Sequence, residues 1–173
     1  GLGDVYKRQG SDNFTVEPAT TTVELIITPS NPLVYNITIF NSSYFQISVN
    51  ATNTGNGTAY STNISIEVLS GWSSNSSLEE CGDLSKGMYC LKSFNTTVPN
   101  GTLAGNYTMN VSVTWKNPNS SISTNKQTIN VTVVSNPLID VAEKEISKEV
   151  ADGYWNYIGN FTVLSIGNDV LSN

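Results

Sequence analysis

The sequence predicts an all-β protein, an antiparallel β-sandwich followed by the start of a second one. Three observations predict it. Apolar and polar residues alternate strictly in several segments, which is typical of strands with one buried and one hydrated face. Clusters of Asn, Gly, Pro and Ser separate these segments and mark turns. The chain is rich in Val, Ile, Thr and Tyr, which favour strands, and no segment before residue 136 has a convincing helical period.

Seven strands are predicted, near residues 22–28, 34–40, 44–52, 58–69, 88–97, 105–116 and 122–135. The clearest alternation is NYTMNVSVTW, whose predicted inward face is Tyr107, Met109, Val111, Val113 and Trp115. The other predicted inward positions are Tyr35, Ile37, Ile39, Phe45, Ile47, Val49, Ala51, Ile64, Ile66, Val68, Ile129, Val131 and Val133. Seven short strands with regular turn signals favour an immunoglobulin-like sandwich of about seven strands over residues 10–136.

A domain boundary is predicted at Asn136-Pro137, because Pro cannot donate to a strand ladder. The charged segment that follows, IDVAEKEISKEVADG, is interpreted as an edge strand plus a turn, with an amphipathic helix as the alternative. Its charges are expected to form a solvated face. The closing stretch GNFTVLSIGNDVLSN is similar to the region around NATNTGNGT, so residues 137–173 are predicted to begin a second, truncated immunoglobulin-like domain.

The first nine residues, GLGDVYKRQ, are interpreted as foreign to the protein. DVYKRQ (Asp4 to Gln9) resembles a translated transposon adapter of the kind used in sequencing libraries, and the alternative is a native polar arm. Such segments are set aside before a fold is assigned. The sequence is therefore expected to be a fragment that lacks its own N-terminus.

Charge and composition narrow the function classes. The formal net charge is −6, there is no His, and Arg8 is the one Arg. A chain with so few Arg and no dense Lys patch is not expected to bind nucleic acid. No apolar run has the length of a bilayer span, so contact with a membrane is expected only through an anchor outside this sequence.

N-x-S/T triplets are unusually frequent. There are 14 of them, whereas random placement of Asn would give about five. They begin at Asn13, Asn36, Asn41, Asn50, Asn56, Asn63, Asn75, Asn95, Asn100, Asn106, Asn110, Asn119, Asn130 and Asn160. Period-two alternation on exposed strand faces, or a codon bias towards Asn, explains part of the excess. Triplets in predicted loops, such as Asn75, Asn100 and Asn119, favour a secreted or surface-displayed glycoprotein.

Cys81 and Cys90, in CGDLSKGMYC, are predicted to form a local disulfide. One Cys pair without any His is a poor metal site, because zinc takes four N or S ligands. The redox spacing CxxC is also absent. A persistent disulfide requires an oxidising compartment, which agrees with an extracellular location. No metal or cofactor is expected.

Catalysis is not expected either. Without His there is no Ser-His-Asp or Cys-His arrangement. Glu79, Glu80 and Asp83 cluster beside Cys81, and a solvated acidic loop is favoured over a glycosidase carboxylate pair or a weak calcium site. Trp72, in SGWSSNSS, is the predicted exposed aromatic residue for ligand contact, with rim packing as the alternative.

The remaining Trp residues are given structural roles. Trp115 lies on the predicted inward face, so it is expected in the core. Trp155 and Tyr157, near the predicted domain boundary, are interpreted as an interdomain contact.

The segment NATNTGNGTAYSTNISIEVL carries a family resemblance. It is similar to the core signature of CARDB-like sandwich domains of bacterial and archaeal surface proteins: a strand ending in Asn, an N-x-G turn (Asn53 to Gly55), and a small residue, Ala59, leading into the next strand. The resemblance implies surface or S-layer-type stalk modules, sometimes attached to enzymes, and it transfers no catalytic residue.

The leading functional hypothesis is therefore a non-catalytic stalk module of a surface protein, packed against neighbouring sandwich domains of the same chain. The alternatives are an adhesin or carbohydrate-binding module that contacts surface proteins or glycans, and an accessory domain of a secreted enzyme.

Overall fold

The computed structural model describes residues 19–29, 33–35, 43–142, 149, 152–155, 157 and 159–169. Eleven strands lie within them. They are β1 (Val23–Thr28), β2 (Leu33–Tyr35), β3 (Ser43–Asn53), β4 (Ala59–Glu67), β5 (Ser73–Ser74), β6 (Leu78–Leu84), β7 (Tyr89–Val98), β8 (Gly105–Lys116), β9 (Ile122–Val133), β10 (Ile139–Val141) and β11 (Val163–Ser165).

The first nine strands form two sheets. One has four strands in the order β1-β3-β7-β5, and the other has five in the order β2-β9-β8-β4-β6. Neighbouring described strands pair antiparallel, apart from β2 and β9, which run parallel. The predicted all-β, immunoglobulin-like antiparallel sandwich is confirmed.

A single apolar core lies between the two sheets. In β8, Met109, Val111 and Val113 are buried, while the residues between them are not. In β3, Ile47 and Val49 are buried in the same alternating manner. The period-two alternation predicted for these strands is confirmed, because each strand places one face against the opposite sheet. The predicted inward face of Tyr35, Ile37 and Ile39 lies outside the described side chains.

Two strands were not predicted from the sequence. β5 is a two-residue edge strand that pairs with β7, and β6 is an edge strand that pairs with β4. In β6, only Leu84 is fully buried. Because an edge strand of this kind places few side chains in the core, its sequence LEECGDL lacks the alternation that identified the central strands.

The first and last strands of the sandwich lie beside each other. β2 pairs with the end of β9 in the register Leu33↔Val131 to Tyr35↔Val133. β1, at the neighbouring edge of the other sheet, is joined to β9 through side chains. Asn125 Nδ2 donates to the carbonyl of Val23 at 2.9 Å, and Gln127 Nε2 donates to the carbonyl of Leu25 at 2.8 Å. We call the β2–β9 ladder and these two amide bonds the terminal-strand clamp.

The chain enters the sandwich at one end and leaves it at the other. The start of β1 lies beside the end of β3, since Val23 pairs with Asn53. β9 ends beside the start of β8, since Val133 pairs with Gly105. We call the end that holds the 53–57 turn the upper end, and the end that holds Gly105 and Val133 the lower end.

A second hairpin follows the sandwich. β10 and β11 pair antiparallel, with Ile139 opposite Ser165. β10 agrees with the edge strand predicted after Pro137, while residues 143–148 of the charged segment lie outside the described residues. Among the residues that the structure describes, we find no helix with the length and hydropathy of a membrane span.

Candidate functional site

The turn between β3 and β4 is held by one buried side chain. Asn53 is fully buried, and its Nδ2 donates to the carbonyls of Gly57 at 2.8 Å and Leu84 at 2.7 Å. Its Oδ1 accepts the N–H of Gly55 at 3.0 Å. A buried amide with donors and acceptor satisfied fixes the local backbone. These three hydrogen bonds explain why the predicted signature has an Asn at the end of the strand.

Gly55 is required because the strand that enters the sandwich passes directly over it. A Cβ at Gly55 would lie 2.5 Å from the carbonyl oxygen of Thr20 and 2.7 Å from the amide nitrogen of Thr22. Both are backbone atoms, which cannot rotate away. The N-x-G motif is thus the place where the turn packs against the segment that leads into β1.

The second hairpin repeats this close approach. A Cβ at Gly167 would collide with the carbonyl oxygen of Asn136 and would lie 2.5 Å from the amide nitrogen of Leu138. The backbone bond from Thr54 to Thr22 has its counterpart in a 3.0 Å bond from the N–H of Ile166 to the carbonyl of Leu138. The same backbone crossing thus occurs twice.

The residue after each of these glycines also makes the same bond. Asn56 Oδ1 accepts the N–H of Thr20 at 2.6 Å, and Asn168 Oδ1 accepts the N–H of Asn136 at 2.6 Å. The predicted similarity of the two segments therefore extends to matching backbone and side-chain bonds.

The disulfide between Cys81 and Cys90 is present, with the two Cα atoms 5.7 Å apart. Cys81 lies on β6 of the five-stranded sheet and Cys90 lies on β7 of the four-stranded sheet. The predicted disulfide is confirmed. It closes a local loop and also links the two sheets at the edge where the chain crosses between them.

The acidic residues beside Cys81 contact neighbouring strands. Asp83 Oδ1 accepts the N–H of Ser61 at 2.8 Å, at the position where β4 bulges and Ser61 has a φ of 48°. Glu79 lies 3.8 Å from the ammonium group of Lys92. No three His, Cys, Asp or Glu side chains within the described residues form a group that could hold a metal ion.

Trp72 is buried, so the expectation that it is exposed for ligand contact is wrong. It is 8% exposed and belongs to the core. Its ring lies 5.4 Å from the ring of Tyr107 and 6.1 Å, edge to face, from that of Phe45. The polar sequence around Trp72 forms a loop at the lower end, and the indole folds back from this loop beneath the sheets.

The other Trp residues differ from each other. Trp115 is buried, as predicted, and its Nε1 donates to Thr21 Oγ1 at 2.9 Å and Asn117 Oδ1 at 3.0 Å. Trp155 is fully exposed and Tyr157 is largely exposed. Asn168 of the second hairpin contacts the sandwich through hydrogen bonds to Ala104 and Val134.

The glycan acceptor candidates are accessible. Eleven of the 14 lie on described residues, and none of these eleven is buried. On the five-stranded sheet, the triplets that begin at Asn106 and Asn130 lie side by side, with Asn106 opposite Thr132 and Asn130 opposite Thr108. Each of these two triplets thus occupies alternate positions of one strand, which is the arrangement that the period-two explanation requires. Asn13, Asn36 and Asn41 lie outside the described residues.

A shallow groove lies on the outer face of the four-stranded sheet. It is lined by Tyr44, Ser73, Ser74, Asn75, Asn95 and Thr97. The Tyr44 ring is 68% exposed. Asn75 Oδ1 accepts the N–H of Asn95, and Asn95 Oδ1 accepts from Gln46 Nε2. The groove therefore combines an exposed aromatic face with two anchored amides.

Two contributors to the terminal-strand clamp, Asn125 and Gln127, were not singled out from the sequence. Both share the parity of the inward-facing Ile129, Val131 and Val133. A polar residue at an inward position requires a hydrogen-bond partner. Their parity in the strand is the sequence signal from which an inward hydrogen bond could be predicted. In the structure, carbonyl groups of β1 accept these hydrogen bonds.

Comparisons with known proteins agree with this architecture. Residues 42–116 match the family model described as "NPCBM-associated, NEW3 domain of alpha-galactosidase". This segment runs from the start of β3 to the end of β8. No curated protein matches the chain significantly in sequence.

Solved structures with a similar chain course include three from different organisms. The VesB protease of Vibrio cholerae is 16% identical, with 62% of this chain and 31% of that chain covered and a TM-score of 0.40. The CARDB domain of a Pyrococcus furiosus protein, solved in complex with di-metal ions, is 18% identical, with 68% and 99% covered and a TM-score of 0.38. The major fimbrial subunit AggA of Escherichia coli is 13% identical, with 68% and 97% covered and a TM-score of 0.35.

The chain spans about a third of the length of the VesB protease. At these identities and TM-scores, the three likenesses carry no argument about activity. The family-model match falls on strands that build the core of the sandwich. The predicted resemblance is confirmed at the level of the fold: the chain carries an immunoglobulin-like β-sandwich, and residues 42–116 within it are similar to the NEW3 domain family.

Proposed function

We propose that the chain is a non-catalytic structural module that spaces one part of a surface-exposed protein from another and resists tension along its length. One observation carries the proposal. The last strand, β9, is paired in parallel with β2 and bonded through Asn125 and Gln127 to the first strand, β1, and the chain enters and leaves the sandwich at opposite ends.

This arrangement determines how a pulling force acts on the fold. Tension between the two ends pulls β1 and β2 towards the upper end and β9 towards the lower end. The β2–β9 ladder is then displaced along its own axis, so its hydrogen bonds are strained together rather than one after another. The Asn125 and Gln127 amide bonds to β1 oppose the same displacement.

The disulfide and the exposed N-x-S/T triplets are features that suit a protein displayed outside the cell. The Cys81–Cys90 disulfide persists in an oxidising compartment. Exposed N-x-S/T triplets on the outer sheet faces offer positions for glycans that would keep those faces hydrated. The family model takes its description from an alpha-galactosidase, which supports a catalytic domain of a secreted enzyme as one part that such a module spaces.

The described side chains support a non-catalytic role. The chain contains no His. Asp83 holds the β4 bulge and Glu79 pairs with Lys92, which gives these two carboxylates structural partners. The core is filled by apolar side chains from both sheets.

A domain-replacement experiment tests the proposal. In the complete gene product, residues 19–136 are replaced by an unrelated β-sandwich of similar length whose ends also lie at opposite poles. A spacer predicts that surface display and the activity of the remaining domains are kept. Loss of that activity, with display intact, would contradict the spacer role and favour a specific binding role.

The second candidate is a carbohydrate-binding module, and the Tyr44 groove is the observation that favours it. Aromatic faces stack on sugar rings, and the amides of Asn75 and Asn95 offer polar contacts. Binding to a panel of immobilised glycans would be compared between the wild type, Tyr44→Ala and Tyr60→Ala, the last being an exposed Tyr outside this groove. Binding lost only in Tyr44→Ala would support this candidate.

A further inference from the structure

We propose that the Gly167–Asn168 turn is a joint that fixes the second unit rigidly on the lower end of the first sandwich. The inference deepens the proposed function and rests on it, because a spacer keeps its length only if its units do not swing freely. The contact is intramolecular: the turn of the second unit packs against the lower end of the first sandwich.

Asn168 makes the central contacts. It is 4% exposed, although it lies in a turn of polar residues. Its main-chain carbonyl accepts the N–H of Ala104 at 2.8 Å, and its Nδ2 donates to the carbonyl of Val134 at 2.9 Å. Its Oδ1 accepts the N–H of Asn136 at 2.6 Å. Three polar groups of one residue are thus satisfied by backbone that belongs to, or directly follows, the first sandwich.

Two of the backbone groups that hydrogen-bond to Asn168, the N–H of Ala104 and the carbonyl of Val134, lie at the lower end of the sandwich. Ala104 precedes β8, and Val134 follows β9 directly. Next to them, the hydroxyl of Ser135 donates to the carboxylate of Asp169. The turn therefore contacts the segment that precedes β8 and the segment that follows β9. A rotation of the hairpin would break the contacts to both segments.

The linker leaves little freedom. Five residues, 134–138, separate the end of β9 from the start of β10. Two of these five, Val134 and Asn136, are bonded to the side chain of Asn168. A linker that is itself hydrogen-bonded to the following unit cannot act as a flexible coil.

The first sandwich contains the matched comparison. Asn56 follows Gly55 as Asn168 follows Gly167, and it bonds to Thr20 with the same 2.6 Å contact. Yet Asn56 is exposed, whereas Asn168 is buried. The difference in burial comes from the lower end of the preceding sandwich, which covers Asn168.

Amide hydrogen exchange on the full 173-residue chain, followed by NMR, tests the joint. In the wild type, the amides of Ala104 and Asn136 are expected to exchange at least about tenfold more slowly than unprotected amides, since both are bonded to Asn168. Asn168→Ala removes the side-chain acceptor of the Asn136 amide, so exchange at Asn136 is expected to speed by at least about fivefold, roughly the effect of losing one hydrogen bond. The Ala104 amide keeps its main-chain acceptor at residue 168, and its exchange is expected to speed because the turn has lost the side-chain bonds that hold it against the sandwich. Amides of β3 and β7 should be unchanged.

Asn56→Ala is the matched control. It should speed exchange at Thr20 and leave Ala104 unchanged. Gly167→Ala provides a second disruption, and it should act on Ala104 as Asn168→Ala does. Unprotected exchange of Ala104 in the wild type would overturn the joint whatever the variants do. That result would leave the spacer function of the sandwich untouched, whereas a failed domain replacement with Ala104 protected would count against the spacer alone.

Discussion

Gln127 in the last strand of the sandwich donates a 2.8 Å side-chain hydrogen bond to the main-chain carbonyl of Leu25 in the first strand. The two residues belong to different sheets. Asn125 makes the equivalent bond to Val23, two residues away on each strand. These amides close the side of the sandwich where β1 would otherwise present unpaired carbonyl groups, which are costly to leave unsatisfied.

Replacing both amides should therefore weaken the fold. We expect Asn125→Ala with Gln127→Ala to lower the free energy of unfolding by about 1–3 kcal/mol, because two hydrogen bonds are lost and two carbonyls lose their partners. Urea denaturation followed by Trp fluorescence measures the change. Lys126→Ala, which removes the exposed side chain between them, should change stability by less than about 0.5 kcal/mol. Equal effects of the two variants would contradict the role of the amides.

Gly55 should tolerate no side chain. Gly55→Ala places a Cβ against the backbone of Thr20 and Thr22, and we expect a loss of about 2–3 kcal/mol from forced backbone displacement. Gly57→Ala is the control, because its Cβ would meet its nearest atom, in the side chain of Ala19, at 3.2 Å. Thermal unfolding of the wild type and both variants measures the loss of stability in each. A Gly55→Ala protein as stable as Gly57→Ala would show that the turn does not pack as described.

Thr96 offers a stabilising substitution. It is fully buried, and its hydroxyl has no hydrogen-bond partner among the described residues. Thr96→Val keeps the shape and removes the unsatisfied hydroxyl, so we expect a gain of up to about 1 kcal/mol in the free energy of unfolding. Thr97→Val, on the outer face of the same strand, should bring no such gain. A clear loss of stability in Thr96→Val would reveal a hydroxyl partner.

The disulfide should contribute to equilibrium stability. Reduction of Cys81–Cys90 frees a loop with a sequence separation of 9, and loop-closure entropy then predicts a loss of about 2–3 kcal/mol. Urea denaturation with and without a thiol reductant measures it. The double variant Cys81→Ser, Cys90→Ser should match the reduced wild type and show no response to reductant. An oxidised protein no more stable than this variant would refute the prediction.

The sequence was most informative where a strand has one buried and one hydrated face. The inward rows of β3, β8 and β9 could be predicted because burial imposes a period of two on residue choice. β6 could not, since this edge strand buries few side chains. The burial of Trp72 is not predictable from the sequence for a related reason: it depends on Phe45 and Tyr107, which are remote in sequence and follow no local period.

The parts of the site that sequence alone did not provide are contacts between distant segments. The N-x-G turn was recognised as a fold signature, but its cause, the passage of Thr20 to Thr22 over Gly55, requires three dimensions. The contacts of Asn168 are not predictable from the sequence, which points to Trp155 and Tyr157 as the interdomain contact. Large aromatic residues near a boundary suggest a contact, whereas a small amide bonded to backbone leaves little signal in a single sequence.

Single-molecule force spectroscopy tests the central claim, resistance to tension, most directly. The full chain would be pulled from its two termini, which strains the terminal-strand clamp along its axis, and in a second geometry from the N-terminus and a handle at Ser121, beside the start of β9. The second geometry opens the contacts between the first and last strands one after another. We predict a clearly higher unfolding force for the first geometry, reduced by Asn125→Ala with Gln127→Ala. An end-to-end force equal to or below that of the second geometry would contradict the account.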